Sequence, residues 1–151
     1  MRTLCFVMDD SHYLKIARDV FREIAEQFPR LKMRIHTDDP VELSMDIPKQ
    51  DGLNFKVDWN LQNRDELHLV AGNLRLEWYP CTDPDKVNEY VEAVSGLLSG
   101  RFRILEHYRG SKCVRAELQA PENEGWRTVG TWALFCPPFP TRKQFKVLVN
   151  A

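Results

Sequence analysis

The chain has 151 residues, 43% of them hydrophobic and 11% aromatic, with four cysteines and a formal net charge of −1. That is enough apolar material to close one core without metal or disulfide support, so a single domain is expected, and the near-neutral balance argues against a nucleic-acid binder. Cys5, Cys81, Cys113 and Cys136 are far apart and form no C-x-x-C pair, which excludes the usual zinc cage and disulfide framework and leaves reduced, buried thiols.

The apolar opening Leu4 to Met8 is too short for a signal peptide or a membrane span, and no longer apolar run follows. A soluble cytoplasmic protein with no membrane partner is the expectation. Thr3 to Met8 reads as a short strand, after which Asp10 or Ser11 caps a helix carrying Leu14, Ala17, Val20, Phe21, Ile24, Ala25 and Phe28 at helical spacing, ended by Pro29. Leu31, Met33 and Ile35 alternate with Lys32, Arg34 and His36, predicting a strand.

From Val41 to Tyr79 the period is two, the mark of half-buried antiparallel strands. The Gly72-Asn73 turn tolerates positive φ and pairs Ala71 with Leu74, Leu69 with Leu76, Leu67 with Trp78 and His68 with Glu77. If the apolar residues keep to one face, the other connections need odd loops. That pairs Leu61 with Leu67, Ile47 with Leu53, and Glu42 with Asp58. One row of the polar face then reads Asn60, His68, Glu77.

Asp83, with Pro84 at the first helical position, starts a second helix with Val87, Tyr90, Val91, Val94 and Leu98 on one stripe, and Ser99-Gly100 stops it. Further strands follow at Phe102 to Arg109, Lys112 to Gln119 and Trp126 to Phe135. In simple register the Gly110-Ser111 turn sets Glu106 opposite Arg115 and His107 opposite Val114, and Trp126 and Trp132 share parity. The stiff connector Cys136 to Pro140 leads to a final edge strand at Gln144 to Val149. The whole predicts an α+β fold of largely antiparallel meanders, with two amphipathic helices packed on the apolar sheet face. In outline it resembles the bacterial secretion chaperones, a likeness of fold that implies no activity.

Motifs narrow the function by exclusion. Phe6 to Ser11, and Asp46 to Gly52, resemble the acidic segments of phosphoacceptor receiver domains, but Asp46 stands too close to Pro48, and Leu53 to Leu61 alternates where a receiver needs a helix. There is no P-loop, dinucleotide fingerprint or G-x-S-x-G, and no H-x-H or H-E-x-x-H, so no cofactor and no resident metal are expected. Charge is asymmetric: Asp38 to Asp85 holds eleven acids against four bases, and Arg101 onward nine bases against four acids.

Two functions follow from these features. The first is a non-catalytic module that binds a protein partner, another copy of itself or a small ligand through the basic second meander, at Arg103, His107, Tyr108 and Arg109. The alternative is an acid/base or metal-assisted, hydrolase-like enzyme in which Asp58 and Glu77 flank His68.

Overall fold

The computed structural model describes residues 10–36, 43–135 and 142–150. The expected strand at Thr3 to Met8, with Cys5, the residue Glu42, and the whole connector Cys136 to Pro140 lie outside these residues. Helix α1 (Asp10–Gln27) is followed by β1 (Arg34–His36), β2 (Leu43–Ile47), β3 (Val57–Gln62), β4 (Glu66–Ala71) and β5 (Leu74–Trp78). Helix α2 (Pro84–Ser99) then leads to β6 (Arg103–Arg109), β7 (Lys112–Glu122), β8 (Gly125–Ala133) and β9 (Lys143–Val149).

The strands form two antiparallel sheets rather than one, a five-stranded sheet in the order β1-β2-β3-β4-β5 and a four-stranded sheet in the order β8-β7-β6-β9. The fold is α+β, as the alternation and the two amphipathic stripes require. In the first sheet Leu43, Met45, Ile47, Val57, Trp59, Leu61, Leu67, Leu69, Ala71 and Leu74 are all buried, which places the apolar sets of β2 to β5 on one face. On α1 the buried side chains are Ala17, Val20, Phe21 and Ile24, and on α2 they include Tyr90, Val94, Leu97 and Leu98. These residues join Ile104, Ala116 and Leu118 of the second sheet in one continuous core.

Local signals set the ends of α2 as expected. The Asp83 carboxylate accepts a hydrogen bond from the Asp85 N–H at 2.9 Å, Pro84 fills the first turn, and Gly100 closes the helix at φ 79°. At Gly96 a Cβ would come within 2.6 Å of the Phe102 ring, so glycine is what lets the start of the second sheet lie against the helix. Asn150, buried at the end of β9, donates from Nδ2 to the Leu97 carbonyl at 2.9 Å and accepts the Asn54 N–H at 2.7 Å, tying the last strand to α2 and the first sheet.

Register differs from expectation in two places, with different consequences. Ile47 pairs with Val57 instead of Leu53, because Gln50 and Leu53 close a small turn of their own before β3 begins. The shift is four residues, an even number, so every side chain keeps its face. What changes is the neighbour: Asp58 lies opposite Asp46, not Glu42.

In the second sheet the errors are odd. A bulge in β7 beyond the Tyr108–Cys113 pair sets His107 opposite Arg115 and Glu106 opposite Ala116. The bulge brings Ala116 and Leu118 onto the side of the sheet where Ile104 and Glu106 already lie, so that side is the buried one, and the expected Glu106–Arg115 contact does not form. A second irregularity at Leu118/Gln119 divides the two tryptophans. Trp132 packs against the core, whereas Trp126 is exposed beneath the Arg103 guanidinium, 4.1 Å from its ring centre. An extra residue reverses the alternation beyond it, which period-two reading does not detect.

Candidate metal centre

The outer face of the first sheet carries two separate groups of charge. Along one row the Cα partners are His36, Ser44, Asn60, His68 and Glu77, so the predicted Asn60–His68–Glu77 alignment is present. His68 Nε2 lies 3.0 Å from Glu66 Oε2 and 3.7 Å from Glu77 Oε2. One ligand atom from each of the three residues falls within 4.8 Å of the other two. The His68 and Glu66 side chains are 18% and 23% exposed and Glu77 is 53% exposed, so the site has a sheltered floor and one open side.

Glu66 was not among the residues the sequence reading selected. It stands two positions before His68 on β4, hence on the same face. Its signal was the spacing Glu-x-His within one strand, hidden because the segment before Leu67 reads as loop. The turn Asn63-Arg64-Asp65, with positive φ at Asn63 and Arg64, is short enough for Gln62 to pair with Glu66 and bring that carboxylate into the sheet. Hydrogen bonds from Asn63 and His68 hold the Glu66 carboxyl below its ordinary pKa, so it is a ready anionic ligand.

Asp58, the third residue of the predicted cluster, is placed elsewhere. Its Cα partner on β4 is Val70, and its neighbours are Asp46 and Lys56, whose Nζ is 3.6 Å away. Burial pushes the Asp58 carboxyl up against the pull of Lys56, and the Asp46 charge adds to the rise. Asp46 is itself the centre of a charge network, bonded to Arg34 at 2.9 Å and His36 at 2.7 Å. Burial raises its pKa, but the hydrogen bonds from His36 and Arg34 outweigh that and leave it lowered. The first sheet thus separates one compensated ion network from one group, Glu66, His68 and Glu77, in which two carboxylates face a single imidazole.

The four residues expected to form a basic contact surface are also divided. Arg103, His107 and Arg109 alternate onto the outer face of the second sheet, with His107 Nε2 2.7 Å from Glu117 and the Arg103 Nε donating to Gln119. Tyr108 lies on the opposite face, where its hydroxyl donates to Glu106 at 3.0 Å. Burial, with the Glu106 carboxylate beside it, pushes the Tyr108 phenol up to about 12. Of the described cysteines, Cys81 and Cys113 are free and buried, and burial raises both thiols, so neither has the environment of a nucleophile.

No protein-family model, curated protein or solved structure matches the chain, so its function rests on its own residues, and the outline likeness to secretion chaperones carries no argument. No helix among the described residues is long and apolar enough to cross a membrane. Fold and site together define a small α+β protein with a half-buried Glu–His–Glu cluster capable of holding a metal ion.

Proposed function

We propose that this protein is a divalent-metal protein with hydrolase-like chemistry, its ion held by Glu66, His68 and Glu77 on the outer face of the first sheet. The observation that carries the reading is the spacing of the three ligand atoms. Zinc bonds to nitrogen and oxygen of about 2.1 Å at tetrahedral angles place neighbouring ligand atoms about 3.4 Å apart, and the two contacts of His68 bracket that value at 3.0 and 3.7 Å. One imidazole with two carboxylates suits zinc or manganese better than magnesium or calcium, which favour all-oxygen sites.

Three protein ligands leave a coordination position open on the exposed Glu77 side, the arrangement of catalytic rather than structural zinc sites. There the ion would supply Lewis-acid chemistry. His68 and Glu66 would position it, and both come from one strand, so their geometry is set by the sheet rather than by a loop.

The test follows the His68 ring resonances and the backbone amides of Glu66 to Ala71 while zinc, manganese and magnesium are added to the full chain, with Glu66→Gln and His68→Ala read by the amides alone. Zinc at micromolar concentration should move the resonances in the wild type, and the variants should lose binding at least tenfold. An absence of change at millimolar zinc would refute the metal reading. Binding without turnover of activated ester or phosphate substrates would keep the ion and reject the hydrolase.

A further inference from the structure

The outer face of the second sheet holds a different combination of charges. Lys143 of β9, Arg109 of β6 and Lys112 of β7 are directly opposite one another in register, a row of three cations across three strands. Like charges in direct cross-strand opposition repel. Among the described residues, none of the three is in an ion pair. The nearest acid of this face, Glu117, is already engaged by His107 at 2.7 Å and Arg115 at 2.9 Å.

The next row along is Phe145, His107 and Arg115. Phe145 meets the imidazole edge-on with ring centres 5.1 Å apart, and is 62% exposed. Between the two rows lies a hollow of about 310 Å³, lined by Arg109, Val114, Arg115, Lys143 and Phe145 among others. Its size is at the lower end for a small-molecule site. Val114 is the extra residue of the β7 bulge: it keeps the outer face that alternation gives it, and the bulge sets Arg115 on that same face beside it, opposite His107. Bulges serve such local re-aiming of side chains next to binding sites.

We propose that this hollow binds a small aryl phosphate, the phosphate at its edge compensating Arg109 and Lys143, with Lys112 next in the row, and the ring lying against Val114 and Phe145. A row of three uncompensated cations calls for more than one negative charge. A phosphate monoester, with a second pKa of about 6, supplies nearly two at neutral pH. The apolar floor beside the row selects for an organic body over inorganic phosphate. The fixed Glu117–His107–Arg115 network holds the aromatic wall in place and repels an anion bound too far from the cationic row. The site is on the other sheet from the Glu66–His68–Glu77 cluster and does not depend on it.

The experiment is an amide-resolved NMR titration of the full chain with phenyl phosphate, inorganic phosphate and phenol at constant ionic strength. Phenyl phosphate should move the amides of Arg109 to Arg115 and Lys143 to Phe145, and bind at least tenfold more tightly than either fragment. The double variant Arg109→Ala/Lys143→Ala should lose at least tenfold, and Phe145→Ala should reduce phenyl phosphate to the affinity of inorganic phosphate. Equal binding of phenyl and inorganic phosphate would reduce the site to a basic patch and overturn the proposal. Equal binding of phenol, shifts elsewhere or no shifts would overturn it as well. These comparisons are made on the wild type, so they decide the matter even if a variant fails to fold.

Discussion

Replacing Glu106 tests how the two sheets are joined. Glu106 is 1% exposed, and its carboxylate accepts three hydrogen bonds: the Asn73 N–H at 2.8 Å, the Asn73 side-chain amide at 2.6 Å and the Tyr108 hydroxyl at 3.0 Å. Two donors come from the hairpin tip of the first sheet, where a Cβ on Gly72 would meet Leu148 at 2.6 Å and Glu106 at 3.2 Å. Glu106→Ala removes the acceptor shared by three donors, of which those on exposed Asn73 and half-buried Tyr108 can still reach water in part. Hydrogen bonds to a charged group are worth about 1.5 to 3 kcal/mol each, and unpaired donors add desolvation. Because the bonds share one acceptor they do not sum, and a loss of about 2 to 3 kcal/mol is expected. Glu106→Gln can still accept from Asn73 while its amide donates to a rotated Tyr108 hydroxyl, so its loss should be about 1 to 2 kcal/mol. Tyr108→Phe should lose about 1 kcal/mol and be non-additive with Glu106→Ala. Urea unfolding followed by tryptophan fluorescence measures all three. A loss below about 0.5 kcal/mol for Glu106→Ala, the range of surface substitutions, would refute the view that this carboxylate joins the sheets.

Core truncation and acid titration supply the other tests of stability. Trp59 and Leu69 are fully buried, so changing either to alanine should destabilise by about 2 to 5 kcal/mol in the same assay; a loss below about 0.5 kcal/mol would mean that the sheet is inside out. Asp46, Glu66 and Glu117 all have folded pKa values below their unfolded ones. Their stabilisation is therefore complete above the unfolded carboxyl pKa of about 4 and disappears as pH falls through the depressed folded values. Asp58, whose pKa is raised, acts with the opposite sign at higher pH, gaining stability as pH falls from its raised folded value to the unfolded one. Below the unfolded pKa the three depressed groups therefore lose stability as acid is added, and Asp46→Asn should flatten that slope; an unchanged slope would contradict the assignment.

Much of the first half was legible from residue order. Strict alternation from Leu43 to Trp78 and the Gly72-Asn73 turn yielded the pairing of β3, β4 and β5, including His68 opposite Glu77. The even error at Ile47 did not disturb the faces, because burial specifies which side a residue occupies but not which partner it meets. The neighbouring positions of His68 and Glu77 therefore follow from alternation and the turn. Glu66 was missed because loop length, not alternation, decides where β4 begins. Asp58 was misassigned because its polar neighbours depended on that unspecified partner.

The sequence by itself determined the two helices with their boundaries, the class of fold and the apolar face of the first sheet, since these follow from periods of 3.6 and 2 and from local turn and cap chemistry. Only the tertiary structure decided that the second meander forms a separate sheet, that a bulge in β7 makes the Glu106 side the buried one and another in β8 divides Trp126 from Trp132, and that three cations align across β9, β6 and β7. Those outcomes rest on non-local packing. Where both faces of a strand carry apolar and charged residues, neither parity is favoured by the chain itself, and the choice falls to whatever the other elements bury.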